Sequence, residues 1–290
     1  MSKNTLQPFD PWARPERKKV TGPKFKKSLG QNFLRSDEIA QQIAEAIPTE
    51  HLVLEIGPGD GFLTQQLLET DHRVLAVEID KTWIPKLHSR LKHYRDFKVI
   101  TGNILELDWR SLSEEASDIV IAGNLPYHLA TATLFAVCQF IREQIPPFVH
   151  EMIVMVQHEV GLRLSAQPNC KAYSAITLLS KYHADVEYLF KVPAKHFIPQ
   201  PRVDGAIVRF KFKHKAEMPD VDYMQFRRIV RGCFAQRRKM MRNSLNVINE
   251  IPDGWRDLDY DFTRRPEHFS FDEFVALSKD ILALGLKTNG

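Results

Sequence analysis

From Leu52 onward the chain alternates short, predominantly apolar runs with stretches whose apolar residues recur at helical spacing. That rhythm constrains the fold more than any other feature. Leu52–Ile56, Arg73–Ile79, Phe97–Thr101, Asp118–Ala122 and Met152–Gln157 read as strands. Helical patterns fill the intervals up to about Glu69, over Lys81–Tyr94 and over Thr131–Arg142. Strands apolar on both faces, separated by helices, imply a parallel sheet covered on both sides. Upstream, Asp37–Ile47 is a predicted helix with Ser36 as its N-cap. Downstream the rhythm changes. Ala184–Val192 and Gly205–Phe212 read as an antiparallel edge pair joined by a loop containing Pro193, Pro199 and Pro201. After His214 the pattern is helical over Tyr223–Phe234, Lys239–Ile248 and Phe271–Leu284. The expected organisation is a flexible basic arm over residues 1–28, an α/β domain over 29–213 and a small helical domain over 214–290.

Among 290 residues, 43% hydrophobic and 26% charged, no apolar run nears the roughly 18 residues that a membrane span needs. The N-terminus lacks the apolar stretch of a secretory signal. Cys138, Cys170 and Cys233 lie far apart without metal-ligand spacing, as reduced thiols of a cytoplasmic protein would. No metal is expected. The net charge of +4 is less telling than its distribution. One basic run covers Arg14 to Lys27; the other, Arg227 to Arg242, contains no acidic residue. Two such blocks suit a polyanion.

Gly57-Pro58-Gly59-Asp60-Gly61 follows the first of these strands and opens a helix. Glycine lets the backbone turn sharply and a ligand approach it, and in open α/β sheets ligands bind beyond the carboxyl ends of the strands. Glu78 ends the next strand about twenty residues on, where a carboxylate can accept ribose hydroxyls. A dinucleotide site wants its third glycine where Phe62 stands. With a proline also inside the loop, the pattern favours S-adenosylmethionine, which needs no pyrophosphate cradle, and disfavours a nicotinamide dehydrogenase.

Asn124-Leu125-Pro126-Tyr127 ends the fourth strand, beside that loop. An exocyclic amine is a poor nucleophile because its lone pair is delocalised into the ring. Acceptors on both N–H bonds, the Asn124 side-chain oxygen and the Leu125 carbonyl, can draw the nitrogen toward tetrahedral geometry. Pro126 would stiffen the turn and Tyr127 would offer a face for the base.

Several further segments complete the pattern: Lys27 to Leu34, Glu55 to Thr64, Phe197-Ile198-Pro199-Gln200-Pro201-Arg202-Val203, and Gln236-Arg237-Arg238-Lys239-Met240-Met241-Arg242-Asn243-Ser244-Leu245. Together with the tetrad they resemble the rRNA adenine N6-dimethyltransferase family, in its bacterial small-subunit branch. The resemblance implies a class I, Rossmann-like methyltransferase domain with a mostly parallel seven-stranded sheet. It implies dimethylation of two adjacent adenosines in the 3′-terminal hairpin loop of 16S rRNA within the immature 30S subunit, by a monomer. It further implies that Asn32, Leu34, Gly57, Gly59, Glu78, Asn103 and Asn124 hold the cofactor, and that Phe197 stacks on the target opposite Tyr127. Charge and position give Arg237, Arg238, Lys239 and Arg242 to RNA phosphates. Two departures stand out: Asn103 where the family usually has Asp, and Ala194 where a second proline is common. The rival readings are a 23S rRNA adenine methyltransferase of the erythromycin-resistance type and a noncatalytic RNA-binding assembly factor on the same fold.

Overall fold

The computed structural model describes residues 32–107, 112, 116–125, 134–138, 149–248 and 251–287. In chain order its elements are β1 (Phe33–Leu34), α1 (Asp37–Glu45), β2 (Leu52–Ile56), α2 (Phe62–Glu69), β3 (Arg73–Glu78), α3 (Ile84–Leu91), β4 (Phe97–Thr101) and β5 (Ile119–Asn124). There follow β6 (Val149–Gln157), α4 (His158–Leu164), α5 (Ala175–His183), β7 (Ala184–Val192), β8 (Phe197–Ile198), β9 (Gly205–Phe212), α6 (Tyr223–Ala235), α7 (Met241–Leu245) and α8 (Phe271–Lys287).

All seven expected strands form one sheet in the order β4-β3-β2-β5-β6-β9-β7. Pairing is parallel from β4 through to β6, and β9 runs antiparallel to β6. The chain thus goes out to the edge as β7 and returns as β9 between β7 and β6. This is the mostly parallel, Rossmann-like seven-stranded sheet that the resemblance implies. Every residue of β2 is buried, as a strand covered on both faces requires. One covering layer is α1, whose Ile39, Ala40, Ile43 and Ala44 face a core shared with Val53, Leu67, Val120 and Ile153. Each large aliphatic side chain so buried contributes about 1.5–3 kcal/mol. Ser36 caps α1 by accepting from the Ile39 amide, with Asp37 and Glu38 favourably placed in the first turn.

The described chain divides into two compact units: one runs to Gly161 and adds Glu187–Phe212, the other joins Leu162–Val186 to the segment from Lys213 onward. The helical unit therefore draws on two stretches of chain, where the sequence suggested a single cut near residue 213. Its joins are visible in polar contacts. The Tyr173 hydroxyl donates to the Phe269 carbonyl (3.0 Å), Tyr182 to the Val221 carbonyl (2.9 Å), and the Asn169 amide to the Glu267 carbonyl (2.9 Å). Tyr182 also stacks within 4.9 Å of Tyr223 and 5.3 Å of Phe226.

One close approach governs the sheet's centre. A Cβ on Gly123 would stand 2.7 Å from the Ile56 carbonyl oxygen, a backbone atom that cannot swing away. Gly123→Ala is expected to lower stability by about 1–3 kcal/mol, as overpacking does. Denaturant titration should show a lower midpoint at an unchanged slope.

Candidate active site

Strand register lines up the site. Ile56 pairs with Val77 and Glu55 with Ala122, so the first loop glycine, Gly57, lies level with Glu78 on one side and Asn124 on the other. Glu78 in turn pairs with Thr101. With strands about 4.8 Å apart, the backbones of Asn124 and Glu78 flank the loop on the order of 10 Å from each other.

The three loop glycines have positive φ, at 66° for Gly57, 59° for Gly59 and 80° for Gly61. Their surroundings differ. A Cβ on Gly57 would meet nothing within 4 Å, which leaves its backbone open to a ligand, whereas one on Gly59 would stand 2.9 Å from the Phe33 ring. Gly59 serves instead through its amide, which donates to Glu78 Oε2 (3.1 Å), while the Asp80 amide donates to Oε1 (2.8 Å). Burial raises the pKa of Glu78 and these amides oppose the rise. The two bonds fix the carboxylate, and each oxygen retains acceptor capacity for a hydroxyl.

Ile79, next to Glu78, is 58% exposed and leaves an apolar surface beside that carboxylate. Sequence reading passed over it, although an isoleucine just past a strand's terminal acid was the available signal. At the end of β4, the Asn103 amide nitrogen donates to Glu106 Oε1 (3.3 Å). This bond uses the donor end of the Asn103 amide.

A strap made of residues 32–35 crosses this row. In it β1 pairs antiparallel with β8, Phe33 with Ile198 and Leu34 with Phe197. The Arg35 amide extends the pairing to the His196 carbonyl (2.7 Å). The Arg35 guanidinium forms an ion pair with Asp60 of the glycine loop and donates to the Leu34 carbonyl (2.7 Å). The ring of Phe33 meets Trp83 edge-on at 5.2 Å. Most consequential is the bond from Asn124 Nδ2 to the Asn32 carbonyl (2.7 Å). A carbonyl partner requires the NH2 end of the amide, so Asn124 turns its oxygen the other way, as an acceptor.

Other expected site residues fall in different places. The Leu34 side chain is buried in the core, so only its backbone is left to the site. Phe197, expected to stack on a target base, is 2% exposed and packs in the same core with Leu34, Val192 and Ile207. Strand alternation turns Phe197 inward and Ile198, 60% exposed, outward. In this arrangement the Phe197 ring has no open face for a base. Leu125 is buried. Pro126 and Tyr127, like Lys27–Gln31 of the first motif, lie outside the described residues. In the helical unit Arg238, Lys239 and Arg242 are exposed. Arg237 is not a free surface charge: it pairs with Glu267 (2.6 Å) and donates to the Lys171 carbonyl (3.1 Å). Among the described residues, no cluster of His, Cys, Asp or Glu could hold a metal ion, and no helix is long and apolar enough to cross a membrane.

Residues 22–253 match the family model described as ribosomal RNA adenine dimethylase. The chain belongs to that family. It is 38% identical over 275 residues to the ribosomal RNA small subunit methyltransferase A of Bacillus thuringiensis (strain Al Hakam), covering 90% of this chain and 92% of the relative. The corresponding protein of Bacillus cereus (strain B4264) matches at the same identity and coverage. Among solved structures, a dimethyladenosine transferase from Plasmodium falciparum superposes with a TM-score of 0.69 at 22% identity, over 87% of this chain and 98% of that one. The 23S rRNA methyltransferase ErmE gives 0.60 at 21%, over 86% and 100%. At those identities the two structures establish the fold.

Behind the glycine loop, Glu55 is 2% exposed, and burial pushes its carboxyl up to about 7 from 4.5, with Glu78 and Asp60 adding to the rise. Between those two values the folded protein binds a proton that the unfolded chain has lost. Stability therefore falls as pH rises through this window, by on the order of 3 kcal/mol, and the loss is complete above about 7. Glu55→Gln is expected to flatten this part of the profile, which urea titrations at pH 5 and pH 8 would measure.

Proposed function

We propose that this protein dimethylates the N6 amines of two adjacent adenosines in the 3′-terminal hairpin loop of 16S rRNA, using S-adenosylmethionine. We place it in the cytoplasm, acting as a monomer on immature 30S subunits. The observation that carries the reading is the Asn124 amide, oriented by Asn32 at the edge of the glycine loop.

The site's residues fit the cofactor. The open backbone of Gly57 can approach its amino-acid portion, Glu78 its ribose hydroxyls, Ile79 a face of its adenine and Asn103 Oδ1 the adenine amine. When bound, it supplies a methyl group on a positively charged sulfur. The remaining work belongs to the chain. Asn124 Oδ1 and the Leu125 carbonyl accept the two hydrogens of the target amine, which localises its lone pair toward the methyl carbon. The nitrogen sheds a proton only once its new bond to carbon has formed, so no strong base is required. Alignment of nitrogen, carbon and sulfur is the principal catalytic effect. A loop target suits this geometry, since unstacked bases can be turned out into a pocket.

Small-subunit RNA is favoured over 23S RNA because the 38%-identical relatives are small-subunit enzymes, whereas ErmE shares only the fold. Retention of Asn124 and Leu125 speaks for catalysis over a purely scaffolding role. Arg238, Lys239 and Arg242 contact RNA phosphates around the target, while Arg237 chiefly holds the helical unit together through Glu267.

Mapping dimethyladenosine in small-subunit RNA, with and without this protein, tests the reading directly; an unchanged map would end it. Asn124→Ala should lose methyl transfer by about 100-fold or more. Its cofactor affinity, read by calorimetry, should stay within a few-fold; full activity would remove Asn124 from the chemistry. Neutralising Arg238, Lys239 and Arg242 together should reduce the slope of log affinity against log salt by about 0.7–0.9 for each phosphate no longer engaged. An unchanged slope would exclude phosphate binding by these three residues.

A further inference from the structure

Strands β1 and β8 form a two-stranded sheet of their own. Its underside is fixed, because Leu34 and Phe197 are buried in the core. Along the row of strand ends, Arg35 ties it in three directions. The Arg35 amide donates to the His196 carbonyl (2.7 Å). Arg35 Nη1 donates back to the Leu34 carbonyl (2.7 Å) and to Asp60 Oδ1 (3.4 Å), while Nη2 pairs with Oδ2. The guanidinium also stands 5.5 Å from the ring centres of both Phe33 and Phe62. One planar group thus faces the strap, the glycine loop and the start of α2 at once, as a rigid fork of donors can and an ammonium cannot. Asp60 is a firm anchor. Arg90 of α3 donates to its backbone carbonyl (3.1 Å) and grips Gln65 of α2 through Nε (3.0 Å) and Nη2 (2.7 Å). The Gly61 amide closes the turn onto the Pro58 carbonyl (2.9 Å).

From Arg35 back to Asn32 the strap spans on the order of 10 Å when extended, a short and direct link. At its far end the Asn32 carbonyl accepts from Asn124 Nδ2 (2.7 Å). A displacement at one end is therefore carried to the other. We propose that Arg35 is a positioning residue for methyl transfer: through Asp60 it sets the Asn32 carbonyl, and through that carbonyl the rotation of the Asn124 amide. This role rests on the function proposed above and adds to it a residue that acts only through others. A misplacement of about 1 Å can cost on the order of 100-fold in rate. The ion pair itself adds little to overall stability, since its side chains are 32% and 21% exposed. Losing it misplaces the amide and leaves the fold standing.

The test compares the full-length protein with Arg35→Gln, Arg35→Lys, Asp60→Asn and the Arg35→Gln/Asp60→Asn double variant. Each is assayed on unmethylated small-subunit particles at saturating S-adenosylmethionine. In Arg35→Gln kcat should fall about 10-fold or more, with KM for the particles within about 2-fold and melting unchanged. The Lys variant keeps the charge but not the fork, and should recover part of the rate. Because both partners act through one contact, the double variant should be no slower than the slower single one. The spectroscopic readout is the side-chain amide of Asn124 in protein carrying isotope-labelled asparagine, assigned by its absence in Asn124→Ala. Its hydrogen-bonded proton should exchange faster with water in Arg35→Gln than in wild type. A lost rate with the Asn124 signal unmoved would overturn the proposal, since Arg35 would then act by another route. Full rate in Arg35→Gln, or additive effects of the two single variants, would overturn it equally. Should Arg35→Gln melt early, Asp60→Asn decides by the same rate and the same signal. If wild type methylates no small-subunit RNA, the proposed function falls and takes this role with it, whereas an unmoved signal beside an active wild type removes Arg35 alone.

Discussion

Parallel pairing of β2 with β3 on one side and β5 on the other is the constraint on which the site depends. It brings three strand ends into one row, so that a glycine turn, a buried carboxylate and an amide stand side by side without any of them being carried on a long loop. The row is possible only because position 123 has no side chain, which lets β5 close against the Ile56 carbonyl. Groups carried at strand ends are held more precisely than groups carried on loops.

The strap of residues 32–35 adds what the sheet alone does not supply. A strand-end asparagine is free to rotate, and its oxygen and nitrogen are interchangeable in shape. The Asn32 carbonyl removes that ambiguity by accepting from one end only. The same four residues seal the loop through Arg35 and Asp60 and reach β8 through Leu34 and Phe197. The glycine loop, Asn124 and the Phe197 segment are thus joined by one short piece of chain. Nearby, burial pushes the Glu55 carboxyl up to about 7, so near neutral pH it carries only part of its negative charge beneath the loop.

Much of this was legible in the sequence because parallel strands buried on both faces write themselves as unbroken apolar runs that stop at glycine or a polar residue. The central strands β2, β3, β5 and β6 and the row of Gly57, Glu78 and Asn124 could be read that way, and the Ser36 cap from the polar residue that precedes a helical pattern. Other features leave no such trace. The two-residue strands β1 and β8 are too short to show a period, and their pairing spans most of the α/β unit in sequence. Phe197 and Ile198 look alike in composition, and only the pairing says which ring or side chain turns inward. Arg237 looks like its exposed neighbours until Glu267, 30 residues on, is placed beside it. The helices α4 and α5 lie in a stretch whose apolar spacing is diluted by polar residues.

The interleaving of the helical unit bears on how the chain is made. Residues 162–186 leave the ribosome well before their partners, because Tyr182 and Tyr173 find their acceptors only at Val221 and Phe269. Helix α8, which closes the same core, comes last of the described elements. During synthesis this stretch must wait, with its tyrosines and the apolar face of α5 uncovered, until residues as far as Phe269 have emerged. Folding of the helical unit is therefore a late and non-local event, and a fragment cut at residue 213 would part the two halves of one core.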